Sequence, residues 1–494
     1  MTRRLLTAVS ALLLAAAPAA VNAETLLEAA RRGDTDAALN LLSEGAAADM
    51  READGTTALH WAVYNGDVEL VRRLLAAGAP VSASNDYGST PMAEAAVRSD
   101  VEILRSLLEA GADPDAPNAD GQTALMVVAR GDNRQAAELL LQYGADVNAM
   151  EQRKQQTALM WAAAQGQAGM VELLLAKGAD VDARSKVNIW ERRVTAEPRV
   201  KDITPGGFTP LLFAAREGCL GCVRALLGAG ADIRNTNPDT ISPLLMALLN
   251  AQFDTAEYLV ASGADVNQWD RWGRTPLYAA VDFNTLPIGG RPDRPSLSAV
   301  SALDMIEILL AAGANPNAQL KLFPPYRSLR ADRGADQILG IGATALLRAA
   351  KAGDAAAIQR LLAHGALVDL PQVDGITPLM AAAGMDRRSV DTRGKFTLEA
   401  ELLAAAQGLL AAGADAALAD GRGRTALHAA AGQGMNDMVR LLVENGGDLE
   451  AADSEGLLPL DYARGQLPGR RGPGEPHADT VELIERLTSG AAPQ

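Results

Sequence analysis

The stretch Thr57-Ala-Leu-His-Trp-Ala-Val-Tyr-Asn-Gly-Asp-Val-Glu-Leu-Val-Arg-Arg-Leu-Leu-Ala-Ala-Gly-Ala, residues 57–79, reads as a helix, a turn and a second helix. Thr57 stands where a hydroxyl can cap the free amides of the first helix. In sister copies the next residue is proline (Pro91, Pro210, Pro276, Pro378), which suits the first helical position. Gly78 ends the second helix, because without a Cβ it can take the left-handed conformation that closes a helix C-terminus. Nine further copies place glycine there: Gly111, Gly144, Gly178, Gly230, Gly263, Gly313, Gly365, Gly413 and Gly446.

The copies open at Thr57, Thr90, Thr123, Thr157, Thr209, Ser242, Thr275, Thr344, Thr377 and Thr425, with Leu458 in place of the last, and a spacing of 33 dominates. That period, openings such as Asp54-Gly-Thr-Thr-Ala-Leu-His, Asp270-Arg-Trp-Gly-Arg-Thr-Pro-Leu-Tyr and Asp374-Gly-Ile-Thr-Pro-Leu-Met, and the Gly-Ala-Asp close resemble the ankyrin repeat family. The resemblance implies an all-α solenoid of about twelve stacked helix-turn-helix repeats with hairpin fingers and several insertions. Physical reasoning agrees, since helices of about eight residues are marginal alone and must stack on neighbours to bury their apolar faces. A stack has no size limit set by one core, so the 494 residues read as one array rather than three globules.

Residues 1–23 read as a cleavable export signal: Arg3 and Arg4, an apolar run from Leu5 to Ala17, and Val21-Asn22-Ala23 before Glu24. This places the mature chain in a periplasm or outside the cell, and only seven lysines among 45 basic residues point to a bacterial source. The full chain carries a net charge of −16, and cleavage removes two arginines and no acid. Such an acidic balance argues against nucleic acid and against anionic membrane surfaces, and keeps a long monomer soluble.

Residues 24–50 form a truncated capping repeat, repeats run from 54 to 464, and a capping region covers 453–494 with a closing helix at 479–487. The period breaks at 184–207, 283–302, 319–342 and 385–402, and a Gly- and Pro-rich segment, 465–477, interrupts the last unit. Loops on a rigid scaffold concentrate binding residues. In 319–342, Phe323, Tyr326, Arg327 and Arg330 form an aromatic and arginine cluster of the kind that dominates interface energies, unless the rings fold back onto the finger. Trp269 and Trp272 flank a neighbouring finger tip and join this candidate patch.

In the ankyrin family, first helices and fingers line the binding face. Carried over by position, Arg98, Arg130, Arg216 and Lys351 make a basic stripe at the ends of first helices, which fits a partner protein with an acidic surface; Asp282 holds the same kind of position. Trp61, Trp161 and Phe213 share one first-helix position with Glu94 and Arg348, so that position is expected to be only partly buried. Cys219 and Cys222 are the two cysteines of the chain. A C-x-x-C at a helix start permits thiol redox chemistry, although the register makes Cys222 a small core residue and puts Cys219 in a turn. No catalytic triad, phosphate loop or two-His metal spacing appears, so no enzyme, cofactor or metal is expected. The reading is a protein-interaction scaffold, with a secreted host-directed effector and a thiol redox protein as the alternatives.

Overall fold

The computed structural model describes residues 25–188, 206–285, 296–322, 337–386, 398–466 and 474–489. The signal-like segment 1–23 lies outside them. Two compact units result, one of residues up to 119 together with 142–145, the other of residues 120–141 and 146–494.

The first unit contains α1 (Leu26–Arg32), α2 (Thr35–Ser43), α3 (Ala58–Asn65), α4 (Val68–Ala76), α5 (Pro91–Arg98) and α6 (Val101–Glu109). They pair as hairpins, and each hairpin packs on the next through like helices, α1 on α3 on α5 and α2 on α4 on α6. Local chemistry starts and stops each helix. The Thr57 hydroxyl accepts the His60 amide, and His60 Nδ1 accepts the Thr57 amide at 3.2 Å in return. His60 Nε2 then reaches the Ser89 carbonyl of the next finger at 3.1 Å, so one neutral imidazole closes a cap and ties two repeats. Burial holds this imidazole below its usual range. Gly78 and Gly111 sit at φ 84° and 86° just beyond their second helices. Leu59, Leu70, Leu74, Leu104 and Leu107 are fully buried, each contributing roughly 1.5–3 kcal/mol of transfer energy.

The second unit continues the pattern. Its first helices are α7 (Ala124–Arg130), α9 (Ala158–Ala164), α11 (Pro210–Glu217), α13 (Pro243–Leu249), α15 (Pro276–Asn284), α17 (Ala345–Ala352), α19 (Pro378–Ala382), α21 (Ala426–Gly432) and α23 (Pro459–Ala463). Its second helices are α8 (Arg134–Gln142), α10 (Ala168–Ala176), α12 (Leu220–Gly228), α14 (Phe253–Ala261), α16 (Ala302–Ala311), α18 (Ala355–Ala363), α20 (Glu399–Ala411), α22 (Asn436–Glu444) and α24 (Ala478–Ser489). Consecutive first helices pack together from α7 to α23, and consecutive second helices from α10 to α24. Among the described residues there are 24 α-helices, a 3-10 helix at Gln337–Leu339, no strands, and three isolated β-bridges in the fingers.

Neighbouring fingers are joined by one or two backbone bonds, such as Arg271 N–H to Asp239 O at 3.0 Å and Gly421 N–H to Asp374 O at 2.8 Å. At the opposite loops of the second unit, asparagine side chains clamp three repeats to the next. Asn148 donates to Gly178 O and accepts Asp180 N–H at 2.7 Å; Asn267 does the same with Gly313 and Asn315, and Asn317 with Gly365 and Leu367.

Two sequence expectations shift. The segment expected as an insertion at 385–402 ends earlier, because α20 starts at Glu399, where Glu401 accepts the Leu398 amide at 3.1 Å. The closing helix is longer than 479–487, spanning Ala478–Ser489. In the 465–477 segment the ends are tied together, with His477 N–H bonded to Ala463 O at 2.8 Å and Gly474 N–H to Gly465 O at 2.6 Å; residues 467–473 lie outside the described ones.

Candidate protein-binding surface

First helices end in short turns, so their last residues have fewer neighbours than their buried midpoints. In the first unit this leaves Tyr64 and Val97 exposed, at 57% and 68%. Arg98 is exposed as well, but its Nη1 donates to the Tyr64 carbonyl at 2.8 Å and its guanidinium covers Gly66. Trp61 is half-buried, packs edge-on to Tyr64 and donates its indole N–H to Glu52 at 3.0 Å.

In the second unit α7, α9 and α11 are successive neighbours, and they carry two arginine-over-aromatic contacts. Arg130 is exposed and lies 5.6 Å over the ring of Trp161. Arg216 lies 5.2 Å over Phe213 and 5.9 Å over Phe208, while its Nε bonds Glu217 at 2.8 Å. A guanidinium drawn to a ring face by cation–π attraction is already partly ordered and loses less entropy when it meets a carboxylate. Lys351 is half-buried and engaged by neighbours. The four basic residues therefore differ: Arg130 offers its charge most openly, whereas the charge of Arg216 is partly balanced by Glu217.

Two positions expected on an open face are closed. Asp282 and Arg348, on α15 and α17, form a buried ion pair at 2.6 Å with side chains 10% and 2% exposed. Arg348 thus occupies a position expected to be partly buried, because the carboxylate of the preceding first helix neutralises it. The clue was an acid and a base on facing helices, hidden by the insertions between them. Trp272, placed by the sequence in an accessible patch, is 6% exposed. Arg271 and Arg274 each lie 5.1 Å from its ring, and its carbonyl accepts Lys321 and Leu322 amides, so the next finger covers it. Trp269 remains 45% exposed with Lys321 Nζ over its ring. Phe323, Tyr326, Arg327 and Arg330 lie outside the described residues.

Arg274 also carries a signal that sequence reading passed over. Asp270 accepts the Trp272 and Arg274 amides and the Arg274 guanidinium, at 3.0, 2.9 and 2.6 Å. Asp420 repeats this with Arg422 and Arg424. The recurring Asp-x-x-Gly-Arg-Thr would have revealed a self-capped finger. Cys219 and Cys222 form a disulfide, so Cys222 is not an ordinary small core residue. Among the described residues no group of three or more metal-ligating side chains clusters, and no helix is long and apolar enough to cross a membrane.

Paired helices capped by Thr and closed by Gly, with fingers joined edge to edge, define a helix-turn-helix repeat protein. Models of ankyrin repeats match residues 26–118, 100–185 and 211–320, and a second such model matches 409–463; the chain belongs to the ankyrin repeat family. It is 40% identical over 97 residues to human ankyrin repeat domain-containing protein 63, covering 20% of this chain and 23% of that one. The mouse protein of the same name is 39% identical over 97 residues, covering 20% and 22%. The chain thus spans about a quarter of the length of these relatives. Among solved structures it is similar to the ankyrin repeat domain of human ASB11, at 24% identity, and to that of Bcl-3, at 29%. They cover 45% and 46% of this chain, 91% and 94% of their own, each with a TM-score of 0.38. Proteins of this family generally mediate protein–protein interaction and are typically non-catalytic.

Proposed function

We propose that this chain is an exported, monomeric scaffold that binds another protein through the ends of its first helices and its fingers, with no chemistry at that surface. The observation that carries the reading is the pair of arginine-over-aromatic contacts, Arg130 on Trp161 and Arg216 on Phe213, along α7, α9 and α11. Arginine and aromatic residues supply most of the energy at interfaces, and a guanidinium partly ordered over a ring favours a partner segment bearing carboxylates. The test begins with affinity capture by residues 24–494, followed by titration of the captured partner. The charge-reversed variant R130E/R216E, with an unchanged circular dichroism spectrum, is expected to bind at least about tenfold more weakly, as loss of two charge-assisted contacts requires. Undiminished binding would remove the site from α7–α11; loss on shortening 319–342 alone would transfer it to that finger.

A further inference from the structure

The Cys219–Cys222 disulfide is placed where the repeat needs a cap, not a crosslink. Cys219 is the N-cap of α12, and its Sγ accepts the Cys222 amide at 3.1 Å. In α2, α4, α6 and α18 the same bond to the third helical amide is made by Asp34, Asp67, Asp100 and Asp354, at 2.9 to 3.1 Å. The neighbours on which α12 packs, α10 and α14, have glutamine N-caps with no side-chain bond and still run nine residues, as α12 does. The helix therefore forms without the crosslink. A ring closed over four residues also removes little chain entropy, so stapling the fold is a poor account of it.

Access to the two sulfurs is unequal. Cys222 is fully buried, on the core side of α12, whereas Cys219 is half-buried at the turn. A Cβ on Gly166 would make only an ordinary contact with the Cys219 Cβ, at 3.9 Å, and the Gln252 side chain lies against Gly218 beside it. The helix N-terminus favours a thiolate at Cys219, and the amide that now bonds its sulfur would bond that thiolate equally.

We propose that Cys219–Cys222 is a reversible thiol–disulfide exchange site, entered at Cys219, whose reaction partner is a vicinal dithiol or, in reverse, a disulfide. In the reducing direction a partner thiolate attacks Cys219 Sγ. The sulfur–sulfur bond breaks, its electron pair passes to Cys222, and that sulfur takes up a proton. The partner's second thiolate then attacks its own sulfur in the mixed disulfide and releases Cys219 as the thiolate held by the Cys222 amide. The protein gains two electrons and one proton, Cys219 remaining a thiolate, as the dithiol becomes a disulfide, and the reverse sequence oxidises the protein and reduces the partner. This goes beyond the binding surface and does not rest on it.

The test equilibrates residues 24–494 with mixtures of reduced and oxidised dithiothreitol, quenches with acid, alkylates and reads the modified peptides by mass spectrometry. The disulfide is expected to open with the far-ultraviolet spectrum unchanged. In the reduced native protein, alkylation is expected at Cys219 at least about tenfold faster than at Cys222. Cys222→Ser should form a one-to-one mixed disulfide with oxidised glutathione, and Cys219→Ser none until urea is added. Should Cys222→Ser fail to fold, the alkylation ratio of the wild type decides alone. A disulfide that opens only where the helices melt, or equal alkylation at both sulfurs, would overturn the proposal.

Discussion

Replacing Asp282 by alanine is expected to destabilise the region of α15 and α17 by about 3–5 kcal/mol. Arg348 Nε lies 2.6 Å from Asp282 Oδ1, and the Arg348 side chain is only 2% exposed, with no other ion-pair partner among the described residues. Removing the carboxylate strands a guanidinium where water cannot replace it, and that desolvation, not the lost attraction, sets the size of the effect. Removing both charges in Asp282→Ala/Arg348→Met takes the stranded ion away, so the double variant is expected to recover most of the loss. Because repeats couple mainly to adjacent repeats, the assay is amide hydrogen exchange resolved to α15 and α17, supported by urea midpoints. A single variant within about 0.5 kcal/mol of wild type, a difference typical of uninvolved surface sites, would refute the reasoning. So would a double variant no more stable than the single one.

Stability should fall as pH drops below 6.5. Burial holds His60 and His428 below that ordinary value, so the unfolded chain takes up protons there that the folded chain refuses, whereas above 6.5 both states are neutral. Urea midpoints at pH 7.5 and 5.5 check this, and His428→Gln, which loses one of the two groups, should flatten the difference. Gly111→Val is expected to cost about 1–3 kcal/mol, since φ is 86° and no atom lies near enough to a new Cβ for packing to matter; an unchanged thermal profile of the first unit would contradict it. Gly375→Ala should cost more than Gly111→Ala. Both have positive φ, but a Cβ at Gly375 would also meet the Gly421 amide at 2.9 Å, where the fingers are joined, and equal losses on denaturant titration would argue against that close approach.

Features decided within a few residues were legible in the sequence. Thr57, Thr90 and Thr209 cap their helices through hydroxyls, and all ten glycines at repeat ends have positive φ, because cap and turn geometry depend on adjacent backbone alone. Features decided between repeats were not. The Asp282–Arg348 pair joins residues 66 apart, a separation set by two insertions rather than by the 33-residue period. Trp272 looked like a finger-tip aromatic, and only the position of Lys321 and Leu322 shows that the next finger covers it. Of the basic stripe, the residues were readable but not their neighbours: Glu217 beside Arg216 is adjacent in sequence, yet whether the two side chains meet depends on rotamers.

The asparagine ladder bears on how such a chain can change over generations. Asn148 grips Asp180 across 32 residues, Asn267 grips Asn315 across 48 and Asn317 grips Leu367 across 50, with bonds of 2.7 to 2.8 Å in each case. The grip is indifferent to how much chain lies between. Mutational gain or loss of residues in the intervening segments therefore leaves the joints intact, so selection can lengthen, shorten or replace one appendage without renegotiating its mounting. Such a chain can acquire new recognition surfaces by piecewise exchange while its load-carrying joints stay under a separate and stricter constraint.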